Sequence, residues 1–166
     1  MIYELRFGIS AAMGAILLSA CTADRGGNGM EHHAARTSAP IAAQVAVFNK
    51  LFADNASSLK QNASTYCIDA GNEDTTRQVT AALRDNAKVK PASACDVRVD
   101  GQGVYDRHTQ QRALMFRTTT ASCSASECLI RGGYYEGNVS AQTNLYQVNL
   151  VGGQWSVTLE ELGPIS

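Results

Sequence analysis

The chain has 166 residues, with 14 basic and 15 acidic side chains and a formal net charge of −1. This balance lacks the positive electrostatic footprint of proteins that bind nucleic acid, so no nucleic-acid partner is expected. The chain contains 5 cysteines, and an odd number in an exported protein leaves one thiol to be explained.

Residues 1–20 are predicted to be an export signal. Arg6 and the amino terminus supply positive charge, and an apolar run from Phe7 to Leu18 follows. This run of about a dozen residues is too short for a membrane span, which needs about 20. It ends in Leu18-Ser19-Ala20-Cys21, which resembles the lipobox of bacterial lipoproteins. The resemblance implies cleavage before Cys21 and a diacylglycerol thioether on its sulfur; the alternative is an ordinary signal peptide with an incidental cysteine.

A lipid on Cys21 would hold the mature chain on a membrane. Lipoproteins retained at the inner membrane often carry aspartate at the next position, which is Thr22 here. The resemblance therefore favours the periplasmic face of the outer membrane. Residues 21–39 are rich in glycine, alanine, serine and charge, which predicts a flexible tether, and residues 40–166 are predicted to form a single domain.

Two helices are predicted at the start of this domain. The first covers about residues 40–60, with Pro40 in its first turn, where a missing amide proton is harmless. Its apolar positions follow helical spacing: Ile41, Val45, Phe48, Phe52 and Leu59. After the short apolar piece at 66–68 and a break at Gly71, Asp74 is predicted to cap a second helix that ends near Ala87.

The remainder of the domain is predicted to be β-structure. Strand-favouring residues occur at 97–99, 113–120 and from 129 onwards, and a hairpin is predicted between 145–151 and 154–159 around Gly152-Gly153. Helices followed by antiparallel strands predict an α+β fold.

The four cysteines other than Cys21 are an even set that fits the oxidising periplasm. They allow three pairings. Cys123 and Cys128 flank a predicted hairpin loop, so we favour Cys123–Cys128 together with Cys67–Cys95. A metal site is the alternative, but paired C-x-x-C elements and a nearby histidine are missing from the sequence. We expect no metal and no cofactor.

Candidate catalytic groups are few. His32-His33 falls in the predicted tether, and His108 falls in a polar stretch predicted to turn. Asp69, Glu73 and Asp74 are close in sequence, but helix capping explains Asp74 more simply. We therefore assign no catalytic residue. The aromatic candidates for a pocket or a protein interface are Tyr134, Tyr135 and Trp155, although core packing is the simpler role for Trp155.

The C-terminal strands carry a further resemblance. The stretch Gly133-Tyr134-Tyr135-Glu136-Gly137-Asn138-Val139-Ser140-Ala141, then Asn144–Val148, and Gln154-Trp155-Ser156-Val157 after a glycine turn, look like the terminal strands of nuclear transport factor 2-like, or cystatin-like, domains. The resemblance implies two N-terminal helices packed on a curved, antiparallel, cone-like sheet over about residues 41–160, here stapled by disulfides. That superfamily includes isomerases and dehydratases, small-ligand binders and toxin-neutralising immunity proteins, so the fold alone does not determine function.

These expectations favour a non-enzymatic binding module, anchored to the membrane through Cys21, with a protein partner such as a toxin that it neutralises. The alternatives are a small-ligand-binding or enzymatic cone-fold domain and a structural lipoprotein of the envelope.

Overall fold

The computed structural model describes residues 39–98, 103–137 and 140–166. The predicted export signal, Cys21 and residues 21–38 of the predicted tether lie outside the described residues. Ala39, the last residue of that predicted tether, is only 3 % exposed and packs in the main core. No helix in the described ranges has the length and apolarity needed to cross a membrane.

The described residues form two helices and an eight-stranded sheet, which confirms the α+β class. The elements in chain order are α1 (Ile41–Asp54), β1 (Thr65–Asp69), α2 (Glu73–Ala82), β2 (Val89–Pro91), β3 (Cys95–Arg98), β4 (Gly103–Asp106), β5 (Arg112–Cys123), β6 (Glu127–Gly137), β7 (Ser140–Val151) and β8 (Gln154–Glu161).

The sheet is mixed, with the strand order β2-β1-β5-β6-β7-β8, and β4 pairs with both β3 and the start of β5. Strand β1 runs parallel to β2 and to β5, whereas the other pairings are antiparallel. The prediction of an antiparallel sheet preceded by both helices is therefore wrong. The piece at 66–68 is a strand between the helices, and α2 provides the crossover that a parallel neighbour requires.

Both helices are shorter than predicted. Asn55 is extended and ends α1, and its side-chain amide donates hydrogen bonds to the carbonyls of Leu51 at 3.0 Å and Phe52 at 3.2 Å. Helix α2 ends at Ala82, and its cap is Asn72, whose side-chain oxygen accepts from the Thr75 amide at 2.8 Å. Asp74 is not the cap, because it lies inside the first turn and pairs with Arg77.

The helices cover one face of the sheet, and strand alternation assigns each side chain to a face. The main core joins both helices to alternate residues of the strands. Its strand members include Ile68, Leu114, Phe116, Ile130, Tyr146 and Val148. On the same side, the Thr118 hydroxyl donates to Gln44 of α1 at 3.0 Å. The intervening residues, including Met115, Arg117 and Tyr135, lie on the opposite side, which we call the open face.

Both predicted disulfides are present. Cys123 and Cys128 are register partners at the β5–β6 hairpin, so strand pairing alone brings them together. Cys67 lies on the open face, opposite Met115, and its bond to Cys95 ties β3 to β1.

Candidate functional site

Two glycines in the middle of β6 shape the two faces of the sheet differently. A Cβ atom on Gly132 would lie 3.0 Å from Val47 Cγ1 and 3.2 Å from Leu51 Cδ1, so the absence of a side chain lets α1 pack closely against the strand. A Cβ atom on Gly133 would collide with the carbonyl oxygen of Gln142 on β7. Gly133 therefore permits close approach of β7 and leaves bare backbone on the open face.

A cavity of about 490 Å³, which we call the open-face cavity, lies over this bare backbone. Gly133 is directly opposite Arg117 on one side and Thr143 on the other. Along β6 it is flanked on the same face by Arg131 and Tyr135, both of which line the cavity. The missing side chain at Gly133 is thus surrounded by larger ones, and the strands themselves form the floor of a depression.

One wall of the cavity comes from a different part of the sheet. Val97 of β3 lines the cavity and remains 44 % exposed. The Cys67–Cys95 disulfide joins Val104, Ala113 and Met115 in a small second core, to which neither α1 nor α2 contributes. This core and its disulfide tie β3 to the strands that form the floor, so the wall is attached covalently to β1 as well as through hydrogen bonds to β4.

Among the described residues that line the cavity, the charged side chains are both arginines, Arg117 and Arg131. Arg117 pairs with Asp69, with 3.6 Å between Nε and Oδ2. Arg131 is opposite Thr119, so the two arginines are diagonal neighbours on adjacent strands, with backbones about 7–8 Å apart. Within the part of the chain that the structure describes, no ion pair joins Arg131 to a carboxylate. Among the described residues, Arg117 therefore has a carboxylate partner and Arg131 has none.

Two buried carboxylates elsewhere stabilise the fold. Glu136 accepts hydrogen bonds from the hydroxyls of Ser57 at 2.7 Å, Ser58 at 2.8 Å and Ser140 at 2.9 Å. Burial by itself would raise the pKa of Glu136, but these hydroxyls favour the ionised form and lower its pKa overall. The carboxylate thereby joins the loop after α1 to the β6–β7 connection.

Asp106 is only 1 % exposed. A hydrogen bond from Lys90 at 2.6 Å is the main reason that its pKa is held well below the usual range. The Thr109 amide, the Thr65 hydroxyl and the His108 amide add to this effect. His108 thus lies in a turn, as predicted, and its backbone rather than its ring meets the carboxylate.

The acidic residues that are close in sequence do not converge on one site, because Asp69 pairs with Arg117 and Asp74 with Arg77. Among the described residues, no three histidine, cysteine, aspartate or glutamate side chains are grouped as metal ligands. His32-His33 lies outside these residues. The aromatic candidates separate: Tyr134 is buried in the main core, Tyr135 lines the cavity, and Trp155 packs half-buried against the main core.

A groove of about 620 Å³ runs between α2 and residues 91–93. Several of its polar side chains are already used by the local fold. Asn72 caps α2, the Thr76 hydroxyl accepts from the Ala70 amide at 2.9 Å, and Arg77 pairs with Asp74. The open-face cavity is the stronger candidate because Arg131 has no such intramolecular role among the described residues.

Arg117, Arg131 and Gly133 were not predicted as site residues from the sequence. Strand alternation contained part of the signal, because Arg131, Gly133 and Tyr135 must share one face of β6. Alternation within β6 does not predict that β5 pairs with it, so it could not place Arg117 on the same face.

Comparisons of the chain with protein-family models, with curated proteins and with solved structures found no match.

Proposed function

We propose that the mature chain is a binding module anchored in the bacterial envelope through a lipid on Cys21, and that a partner protein occupies the open-face cavity. The observation that carries the proposal is a cavity of about 490 Å³ on a sheet face that α1 and α2 do not cover, lined by arginine and tyrosine. Arginine and tyrosine are enriched among the residues that contribute most to protein interfaces.

The construction of the cavity supports a binding role. Its floor is made of paired strands and its wall is attached by the Cys67–Cys95 disulfide. A surface held in this way loses little conformational entropy when a partner binds, which favours affinity. The likeness to the nuclear transport factor 2-like superfamily stays part of the proposal, supported by the two helices that pack on one face of the sheet.

The anchor and the tether complete the proposal. A lipid on Cys21, followed by the predicted tether, would let the domain search for partners near the outer membrane. Neutralisation of a toxin in the periplasm would suit such a position. Mass spectrometry of the mature protein tests the anchor: we expect cleavage before Cys21 and a diacylglycerol modification of its sulfur, and an unmodified Cys21 would contradict it.

Site-specific photo-cross-linking in the bacterium that makes this protein tests the binding face. A photoreactive residue at Thr119, which lines the cavity, is compared with one at Arg84, an exposed residue just after α2. We expect one dominant protein adduct from position 119, absent from position 84, and lost when Ala141→Trp fills the cavity. Equal adducts from both positions, or none from position 119, would count against the proposal.

A small-ligand pocket is the second candidate function. The volume of about 490 Å³ falls within the range of about 300–1,000 Å³ typical of ligand sites, and the lining includes the apolar side chains of Val97 and Met115. Native mass spectrometry of protein purified from its own bacterium distinguishes the two: a retained small molecule that Ala141→Trp removes would favour this function.

A further inference from the structure

Among the described residues, the charges around the open-face cavity do not balance. Arg117 and Arg131 both line it, and Asp69 offsets one of the two positive charges at 3.6 Å from Arg117. The surplus of one positive charge lies beside Gly133, where the sheet carries no side chain. Two guanidinium groups on neighbouring strands repel each other unless an anion lies between them.

The surroundings suit an anion with an apolar stem. Val97 and Met115 contribute apolar surface to the same cavity, and the ring of Tyr135 adjoins them. Partial exclusion of water by such groups strengthens charged hydrogen bonds made inside the cavity. The hydroxyls of Thr119 and Thr143, on either side of the Arg131–Gly133 segment, are further donors to an anionic oxygen.

We infer that the open-face cavity binds a carboxylate side chain of the partner, an aspartate or a glutamate, between Arg117 and Arg131. The inference rests on the proposed binding function and specifies the chemistry of the partner. A carboxylate offers two oxygens that can each accept from a guanidinium, and this pairing is the strong, planar one.

Charge complementarity favours a carboxylate over a phosphate. The net charge of the Arg117, Arg131 and Asp69 group is +1, which matches a single negative charge. A phosphate monoester carries about −1.5 to −2 at neutral pH and would be repelled by Asp69, which lies within the same row of the sheet. These three side chains therefore favour a ligand with one negative charge over a ligand with two.

The test uses the full mature lipoprotein in detergent micelles and 3-phenylpropionate as the probe, which has a carboxylate on a short apolar stem. Its amide, 3-phenylpropionamide, is the neutral control, and phenyl phosphate is the more highly charged one. Binding is followed by NMR through the Gly133 amide and the arginine Nε–H signals. We expect shifts at Gly133 and Arg131, with the amide binding at least about tenfold more weakly because charged hydrogen bonds are lost.

Arg117→Gln and Arg131→Gln should each weaken carboxylate binding about five- to tenfold, since each removes one partner of a partly exposed charged pair. Arg84→Gln, the matched exposed control, should leave binding unchanged. Equal binding of the amide, tighter binding of phenyl phosphate, or an unaffected Arg131→Gln variant would each overturn the inference.

The two proposals fail in different ways. If the cross-link from position 119 persists in the Arg117→Gln/Arg131→Gln double variant, the binding face stands and the carboxylate inference falls. If the wild-type chain gives no cross-link from position 119, the proposed function falls whatever the probe does.

Discussion

Replacing Asp106 with asparagine removes a buried charge on which the turn after β4 depends. Its Oδ2 atom accepts from Lys90 Nζ at 2.6 Å and Thr65 Oγ1 at 2.7 Å, and its Oδ1 atom accepts from the amides of His108 and Thr109 at 2.9 and 3.0 Å. Asparagine has one acceptor oxygen. It can accept from the two turn amides, or from Lys90 and Thr65, but not from both pairs.

The expected loss in the free energy of unfolding depends on which partners of Asp106 are left without a hydrogen bond. The Lys90 side chain is 39 % exposed and can recover water, whereas the Thr65 hydroxyl is buried and can donate only if another acceptor is present. A hydrogen bond to a charged group contributes about 1.5–3 kcal/mol, and the partial exposure of Lys90 reduces its share. We expect Asp106→Asn to lower the free energy of unfolding by about 2–3 kcal/mol, and Tm by about 6–12 °C.

Urea and thermal unfolding followed by circular dichroism measure this loss. The matched control is Asp96→Asn on the neighbouring strand. Asp96 also pairs with a cation, Arg107 at 2.7 Å, but the two side chains are 49 % and 60 % exposed. Such a surface pair contributes about 0.5 kcal/mol or less. Equal effects of the two substitutions at pH 7 would refute the reasoning.

The pH dependence of the same difference gives a second check. Because the folded-state pKa of Asp106 is lowered, its contribution to stability is complete above the unfolded pKa of about 3.9 and is lost as the pH falls towards the folded value. The stability gap between the wild type and Asp106→Asn should therefore be constant from pH 7 to about pH 5 and should shrink below about pH 4. A gap of undiminished size at pH 2 would contradict this assignment.

Three further variants test contacts that hold the sheet, the helices and the loops together. Gly132→Ala should cost about 1–3 kcal/mol in the free energy of unfolding, because its Cβ would lie 3.0 Å from the Val47 side chain of α1; a neutral effect in urea unfolding would contradict this contact. Cys67→Ala/Cys95→Ala should cost about 3–4 kcal/mol for a bridge spanning 28 residues and should weaken binding of 3-phenylpropionate, since β3 loses its covalent tie; unchanged binding would exclude β3 from the site. Glu136→Gln should cost about 1–3 kcal/mol at pH 7 because three hydroxyls lose an ionised acceptor, whereas Glu160→Gln on exposed β8 should be neutral; the Glu136 difference should also diminish below about pH 4.

Features that depend on residues close together in the chain could be predicted from the sequence. The apolar spacing from Ile41 to Phe52 specifies α1, because helical periodicity needs only local information. Gly152-Gly153 specifies the β7–β8 hairpin, since both glycines adopt the positive φ angles that such turns favour. The Cys123–Cys128 bond followed from its hairpin for the same reason. The lipid on Cys21 likewise comes from a local motif, and it stays a prediction.

The predicted ends and pairing of some elements were wrong, because local signals in the sequence compete with one another or are too short. Leu59 fits the helical stripe, yet Asn55 ends α1 by donating to the carbonyls of the last turn. The short piece at 66–68 has no alternation long enough to reveal its partners, so its parallel pairing with β5, 48 residues later in the chain, was not predicted.

The candidate site depends on contacts that form only in the folded protein. Strand alternation places Arg131 and Tyr135 on one face of β6, but it does not say which face the helices cover. Packing of α1 on Gly132 makes that choice, and the register that pairs Arg117 with Gly133 brings the second arginine to the same cavity. The packing of α1 on β6 and the β5–β6 register both join residues that are far apart in the chain. The free energy that favours them comes from burying apolar surface, and this happens only when the sheet forms.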